Sequence, residues 1–82
     1  MNYVVEYHPA VEPVRCTLPR DALLALGDLE SRLRGDPWSV GVRMSGGLKD
    51  TLEAPLGRHG FATYVVQDGR GTVSVIHLTW TG

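Results

Sequence analysis

Polar and apolar residues fail to alternate cleanly over the last third of the chain. In Gly60-Phe61-Ala62-Thr63-Tyr64-Val65-Val66-Gln67, a two-residue period puts Phe61, Thr63 and Val65 on one side and Ala62, Tyr64 and Val66 on the other. In Thr72-Val73-Ser74-Val75-Ile76-His77-Leu78-Thr79-Trp80, it separates Val73, Val75, His77 and Thr79 from Ser74, Ile76, Leu78 and Trp80. An antiparallel sheet with one wet face reads as regular alternation. Here both sides of both runs carry apolar residues, so the pattern predicts two strands with something packed against each face. Leu52–Leu56 predicts a strand before them, which Pro55 restricts to a sheet edge or a bulge because it lacks an N–H. Gly57-Arg58-His59-Gly60 forms the first hairpin loop. Asp68-Gly69-Arg70-Gly71 forms the second, where the Asp-Gly pair supplies the positive φ that hairpins need.

The first half reads differently. Tyr3-Val4-Val5-Glu6-Tyr7 alternates and is rich in β-formers, and Pro9 ends that strand. Pro13 argues against a helix through Ala10 to Cys16, which is left as a loop, a single turn or an irregular strand. From about Pro19 to Arg34 the period becomes helical: Ala22, Leu26, Leu29 and Leu33 recur on one stripe, widened by Leu23 and Ala25. Thr17 suits the N-cap, Asp21 and the pair Arg32 and Arg34 suit the dipole ends, and Gly35-Asp36-Pro37 is a stop signal. Trp38 to Asp50 has no legible period. Ser45-Gly46-Gly47 with Lys49 nearby lacks the spacing of a phosphate loop and reads as a plain turn.

The expected fold is α+β, a four-stranded mostly antiparallel sheet with one main helix on one face and the first strand alongside the long last strand. All 82 residues read as a single domain. One helix covers one face. The other is closed by loops or offered to a partner.

Composition and charge narrow the function classes. Eight basic residues against nine acidic ones give a net charge of −1, and the arginines are scattered. Strong non-specific binding of RNA or DNA calls for a basic excess that this chain lacks. Cys16 is the lone cysteine and reads as a buried spectator thiol, consistent with a reducing cytoplasm. The N-terminus has no basic region followed by a long apolar run, and no stretch is apolar enough to span a bilayer.

His8, His59 and His77 share no metal-ligand spacing, so neither a metal nor another cofactor is expected. His77, within the last strand and near Tyr64, is the candidate general base, weighed against a hydrogen-bonded structural histidine. No nucleophile elbow surrounds any serine. Asp50 and Glu53 are a carboxylate pair, better explained by solvation than by base chemistry. Trp80 closes the last strand and reads equally as a core plug or as an interface anchor.

The ordered set of Val4-Val5-Glu6-Tyr7-His8-Pro9-Ala10-Val11, Leu18-Pro19-Arg20, Leu33-Arg34-Gly35-Asp36-Pro37, Gly60-Phe61-Ala62-Thr63-Tyr64-Val65-Val66 and Asp68-Gly69-Arg70-Gly71-Thr72-Val73-Ser74-Val75-Ile76 resembles the RelE/ParE toxins of bacterial type II toxin–antitoxin systems. The resemblance implies an antiparallel sheet with helices on one side and a concave working face that also meets the antitoxin. Family ribonucleases, which cleave mRNA on the ribosome, carry an arginine after the aromatic residue that follows the hairpin glycine. That position here is Ala62. Their basic residues on the preceding strand fall on Glu53 and Pro55, and the cluster after the last strand reduces to Trp80-Thr81-Gly82. Cleavage needs cations around the phosphate, and losing one costs on the order of 2.7–4 kcal/mol of barrier. The expectation is therefore a toxin-type module that binds an antitoxin-like protein, a cellular target or itself through the open sheet face, with Tyr64, His77 and Trp80 in contact. The alternative is a ribonuclease with a rearranged site built from Arg43, Lys49, Arg58 and His77.

Overall fold

The predicted strands pair into one sheet whose order differs from their order in the chain. The computed structural model describes residues 2–44 and 50–81. Along it run β1 (Val4–Tyr7), α1 (Glu12–Thr17), α2 (Arg20–Gly35), α3 (Pro37–Val40), β2 (Val42–Arg43), β3 (Thr51–Leu56), β4 (Gly60–Gln67) and β5 (Thr72–Trp80). The sheet order is β1-β5-β4-β3-β2. β1 runs parallel to β5, as its expected place beside the last strand allows, and the remaining pairs are antiparallel.

The α+β class holds, with five strands in place of the expected four. The added strand, β2, has only two residues and no sequence period to announce it. α1 forms across the segment that Pro13 was expected to keep non-helical. The proline sits in the first turn, where its missing N–H has no intrahelical partner to lose. Thr17 ends α1 instead of capping α2: its hydroxyl donates back to the Val14 carbonyl at 2.9 Å, and Pro19 takes the N-cap of α2. In the second hairpin the positive φ falls on Gly71, at 63°, because Asp68–Arg70 winds into a 3-10 turn. The turn at Ser45-Gly46-Gly47 and Lys49 lie outside the described residues.

α2 buries Ala22, Leu26, Leu29 and Leu33 against the sheet, as its stripe predicts. Their counterparts are Leu52, Ala54 and Leu56 of β3, Ala62, Tyr64 and Val66 of β4, and Val73, Val75 and Leu78 of β5. Each fully buried leucine contributes about 1.5–3 kcal/mol, so this one interface supplies much of the folding free energy. Polar ties hold the periphery. The Tyr3 hydroxyl and the Trp38 indole N–H both donate to Oδ1 of Asp68, at 2.6 and 3.1 Å. The Tyr7 hydroxyl donates to Glu30 at 2.6 Å, and Arg15 lies over the Tyr7 ring at 4.6 Å. Among the described residues, no helix is long and apolar enough to cross a membrane.

The strand period is broken once, and the break changes which residues face outward. Thr63 pairs with His77 but Tyr64 pairs with Val75, leaving Ile76 as an extra residue on β5. Such a bulge reverses the phase of everything beyond it. Val73 and Val75 before it, and Leu78 and Trp80 after it, therefore share the helix side. The unbroken alternation assumed from sequence divides these residues wrongly. With the bulge included, the strand is amphipathic.

Candidate functional site

The face of the sheet away from α2 is assembled in rows across the strands. One row runs Val42–Glu53–Thr63–His77, from β2 to β5. The next holds Pro55, Phe61 and Thr79, and another holds Thr51, Val65, Ser74 and Glu6. The expectation of an apolar second face is thus corrected. Threonine, serine, glutamate and histidine dominate its centre; apart from Val65 there and Val4 at the β1 edge, the apolar side chains gather toward the β2 edge.

At that edge Val42, Arg43, Met44, Glu53, Pro55 and Phe61 are among the residues that line a groove of about 510 Å³. Val42 is 74% exposed, Met44 41% and Phe61 37%, although all three are apolar. Elsewhere on the face the Ser74 hydroxyl donates to Glu6 at 3.0 Å. His77 Nε2 lies 3.0 Å from the Thr79 hydroxyl. Among the described residues, no strand position on this face is arginine or lysine. No cluster of described residues could hold a metal ion.

The residues singled out from sequence do not converge. His77 is exposed on the open face, in the row of Glu53 and Thr63. Arg58 lies in the β3–β4 turn, beyond Gly60. Gly60 is already roughly 10 Å along β4 from the partner of His77 at about 3.3 Å per residue. Arg43 stacks on the Trp38 ring at 5.1 Å. Tyr64 cannot take its expected place on the open face: it is fully buried beneath α2 and α3, and its hydroxyl donates to the Pro37 carbonyl at 2.8 Å. Burial pushes that hydroxyl up to about 12, against a backbone hydrogen bond from Gly41 that pulls it down. Trp80, half-buried, packs on the core side opposite Gly60 and edge-on to His59 at 5.7 Å. Its indole N–H is buried without an acceptor among the described residues. Lys49 is outside the described residues.

Sequence reasoning missed Val42 and Met44, which lie in the segment without a period, and gave Phe61 no role. The available signal was Pro55, whose missing N–H marks the place where the sheet edge opens.

No protein-family model and no curated protein matches this chain. Solved structures do. The chain is similar to the RelBE2 toxin–antitoxin complex of Mycobacterium tuberculosis, with a TM-score of 0.86 at 22% identity over 99% of this chain and 93% of the other. It is similar to the archaeal RelE–RelB complex of Pyrococcus horikoshii, with a TM-score of 0.78 at 22% identity over 100% and 98%. It is also similar to the isolated RelE toxin of E. coli, with a TM-score of 0.82 at 16% identity over 98% and 85%. At these identities the likeness is one of architecture, and the chain has the RelE toxin fold.

Proposed function

We propose that this chain is the toxin-type member of a toxin–antitoxin pair and acts by binding protein through the open face of its sheet. The gathering of Val42, Met44 and Phe61 around one groove carries this reading. Exposed apolar side chains that share a concavity mark interaction surfaces. Two structures of the same fold are complexes of a RelE protein with its RelB antitoxin, which supports an antitoxin as the partner. A cellular target or a second copy of the chain would use the same face. The free thiol of Cys16 is exposed on α1, where no side chain is buried, and not buried as its sequence suggested; an exposed free thiol fits a cytoplasmic setting.

A second reading, ribosome-dependent mRNA cleavage, is favoured by the row Glu53–Thr63–His77. With strands about 4.8 Å apart, the outer two Cα atoms are roughly 10 Å from each other. That span accommodates a phosphodiester between a carboxylate base and an imidazole acid. The face offers no strand-borne cation for the phosphate among the described residues, and this weighs toward binding.

Expression of the chain alone tests both readings. Binding predicts growth arrest with intact mRNA, relieved by co-expression of a RelB-type antitoxin that binds the chain. Phe61→Asp should abolish arrest while leaving the melting temperature nearly unchanged. Cleaved mRNA, with cleavage lost in His77→Ala and Glu53→Gln, would replace the binding reading with the ribonuclease.

A further inference from the structure

We infer that the groove beside β2 receives an extended segment of the partner protein whose lysine or arginine pairs with Glu53 between apolar side chains. This rests on the protein-binding reading and names the chemistry of the partner.

The backbone supplies an edge. β2 stands opposite Leu52 and Glu53 only, so Ala54, Pro55 and Leu56 have no strand beside them on that side among the described residues. Gly41 leaves β2 toward the helix side: a Cβ there would lie 2.5 Å from the Tyr64 hydroxyl and 2.8 Å from the Glu53 carbonyl oxygen. The chain preceding β2 therefore passes beneath the sheet and does not cover the edge. An open edge flanked by side-chain pockets is the geometry that accepts an added strand.

The side chains set what that strand must carry. Val42, Pro55 and Phe61 give apolar walls, which want apolar residues at alternate positions of the guest. Between them Glu53 is half-buried, and its carboxylate makes no hydrogen bond or ion pair among the described residues. The cation on the neighbouring strand, Arg43, also borders the groove, but its guanidinium is turned onto Trp38. The face's other carboxylate, Glu6, is four strands away from β2 and accepts from Ser74. A guest that displaces water from the groove strips solvent from Glu53 unless it brings a cation. A cation there makes a charge-assisted hydrogen bond, while an acidic guest is repelled. The open face therefore selects a basic, apolar, extended ligand.

A display library of short random peptides, panned on the immobilised full chain, tests the assignment. Glu53→Lys and Glu53→Gln are carried in parallel after circular dichroism confirms that both are folded. The wild type should enrich peptides with Lys or Arg flanked by Val, Ile, Leu or Phe, and Glu53→Lys should move the enrichment to Asp or Glu. The best wild-type peptide, measured by fluorescence anisotropy, should bind Glu53→Gln on the order of tenfold more weakly. Enrichment without basic bias, the same peptides on Glu53→Lys, or no enriched peptide at all would each overturn the assignment. The growth assay separates the two claims. Arrest relieved by a co-expressed antitoxin leaves the wider reading standing even when the peptide result fails, and a basic bias without arrest removes only the toxin reading.

Discussion

The Tyr64 hydroxyl donates to the carbonyl oxygen of Pro37, joining the centre of β4 to the first residue of α3 within the core. This bond fixes the short helix that delivers the chain to β2, and so to the groove. Tyr64→Phe keeps the ring and leaves a buried carbonyl without that donor, at a cost of about 1–3 kcal/mol. Urea unfolding should read the loss directly. An unchanged midpoint would mean that α3 is held by packing alone.

Alkaline pH should unfold the protein through its tyrosines. All three have pKa values raised in the fold. Tyr3 is raised first by its hydrogen bond to Asp68, Tyr7 first by burial and then by Glu30, and Tyr64 by burial, to about 12. A folded-state value above the unfolded value of about 10 means stability fully present below pH 10 and lost as pH rises through the folded values. In a Tyr3→Phe variant, which removes the tyrosine whose shift does not come first from burial, spectrophotometric titration should show almost no tyrosinate near pH 10 while the chain is native. Its appearance should then coincide with loss of the circular dichroism signal. Tyrosinate forming reversibly at pH 10 in that folded variant would refute the burial argument for Tyr7 and Tyr64.

Two glycines should respond oppositely to alanine. At Gly60 a new Cβ would lie 2.1 Å from the Thr79 carbonyl oxygen, which is backbone and cannot step aside without disturbing β5. Gly60→Ala should cost about 1–3 kcal/mol or more. At Gly27, exposed within α2, a Cβ meets nothing within 4 Å. Gly27→Ala should stabilise by roughly 0.5–1 kcal/mol through helix propensity. Thermal melts of the pair check both signs.

Deleting Ile76 should be tolerated. The pairs Tyr64–Val75 and Thr63–His77 lie on either side of the extra residue, so its removal lets the ladder run on with every other side chain on its present face. The loss of a half-buried isoleucine should cost about 1–2 kcal/mol. A chain that no longer folds after this deletion would show that the bend made by the bulge, and not only the register, is needed.

The helix α2, the three long strands and the turns between them were legible because each carries its own period or stop signal. Ala22, Leu26, Leu29 and Leu33 are buried as their spacing requires. The resemblance to RelE/ParE toxins rested on an ordered set of short segments, and the architecture agrees with it. β2 and α1 were not legible. A two-residue strand has no period, and Pro13 reads as a breaker until its place in a first helical turn is known.

The sequence alone determined the class of fold, the helix that covers one face and the near balance of eight basic against nine acidic residues. Tertiary structure decided which residues occupy the other face. One unpaired residue at position 76 reverses the outward side of β5, and a reversal of that kind belongs to the pairing of two strands and cannot be read from either one. For the same reason Trp80 went to the core side; Tyr64 went there because α2 docks on the Ala62, Tyr64 and Val66 side of β4. The groove was assembled from Val42, Glu53, Pro55 and Phe61, which are neighbours only because three strands lie side by side.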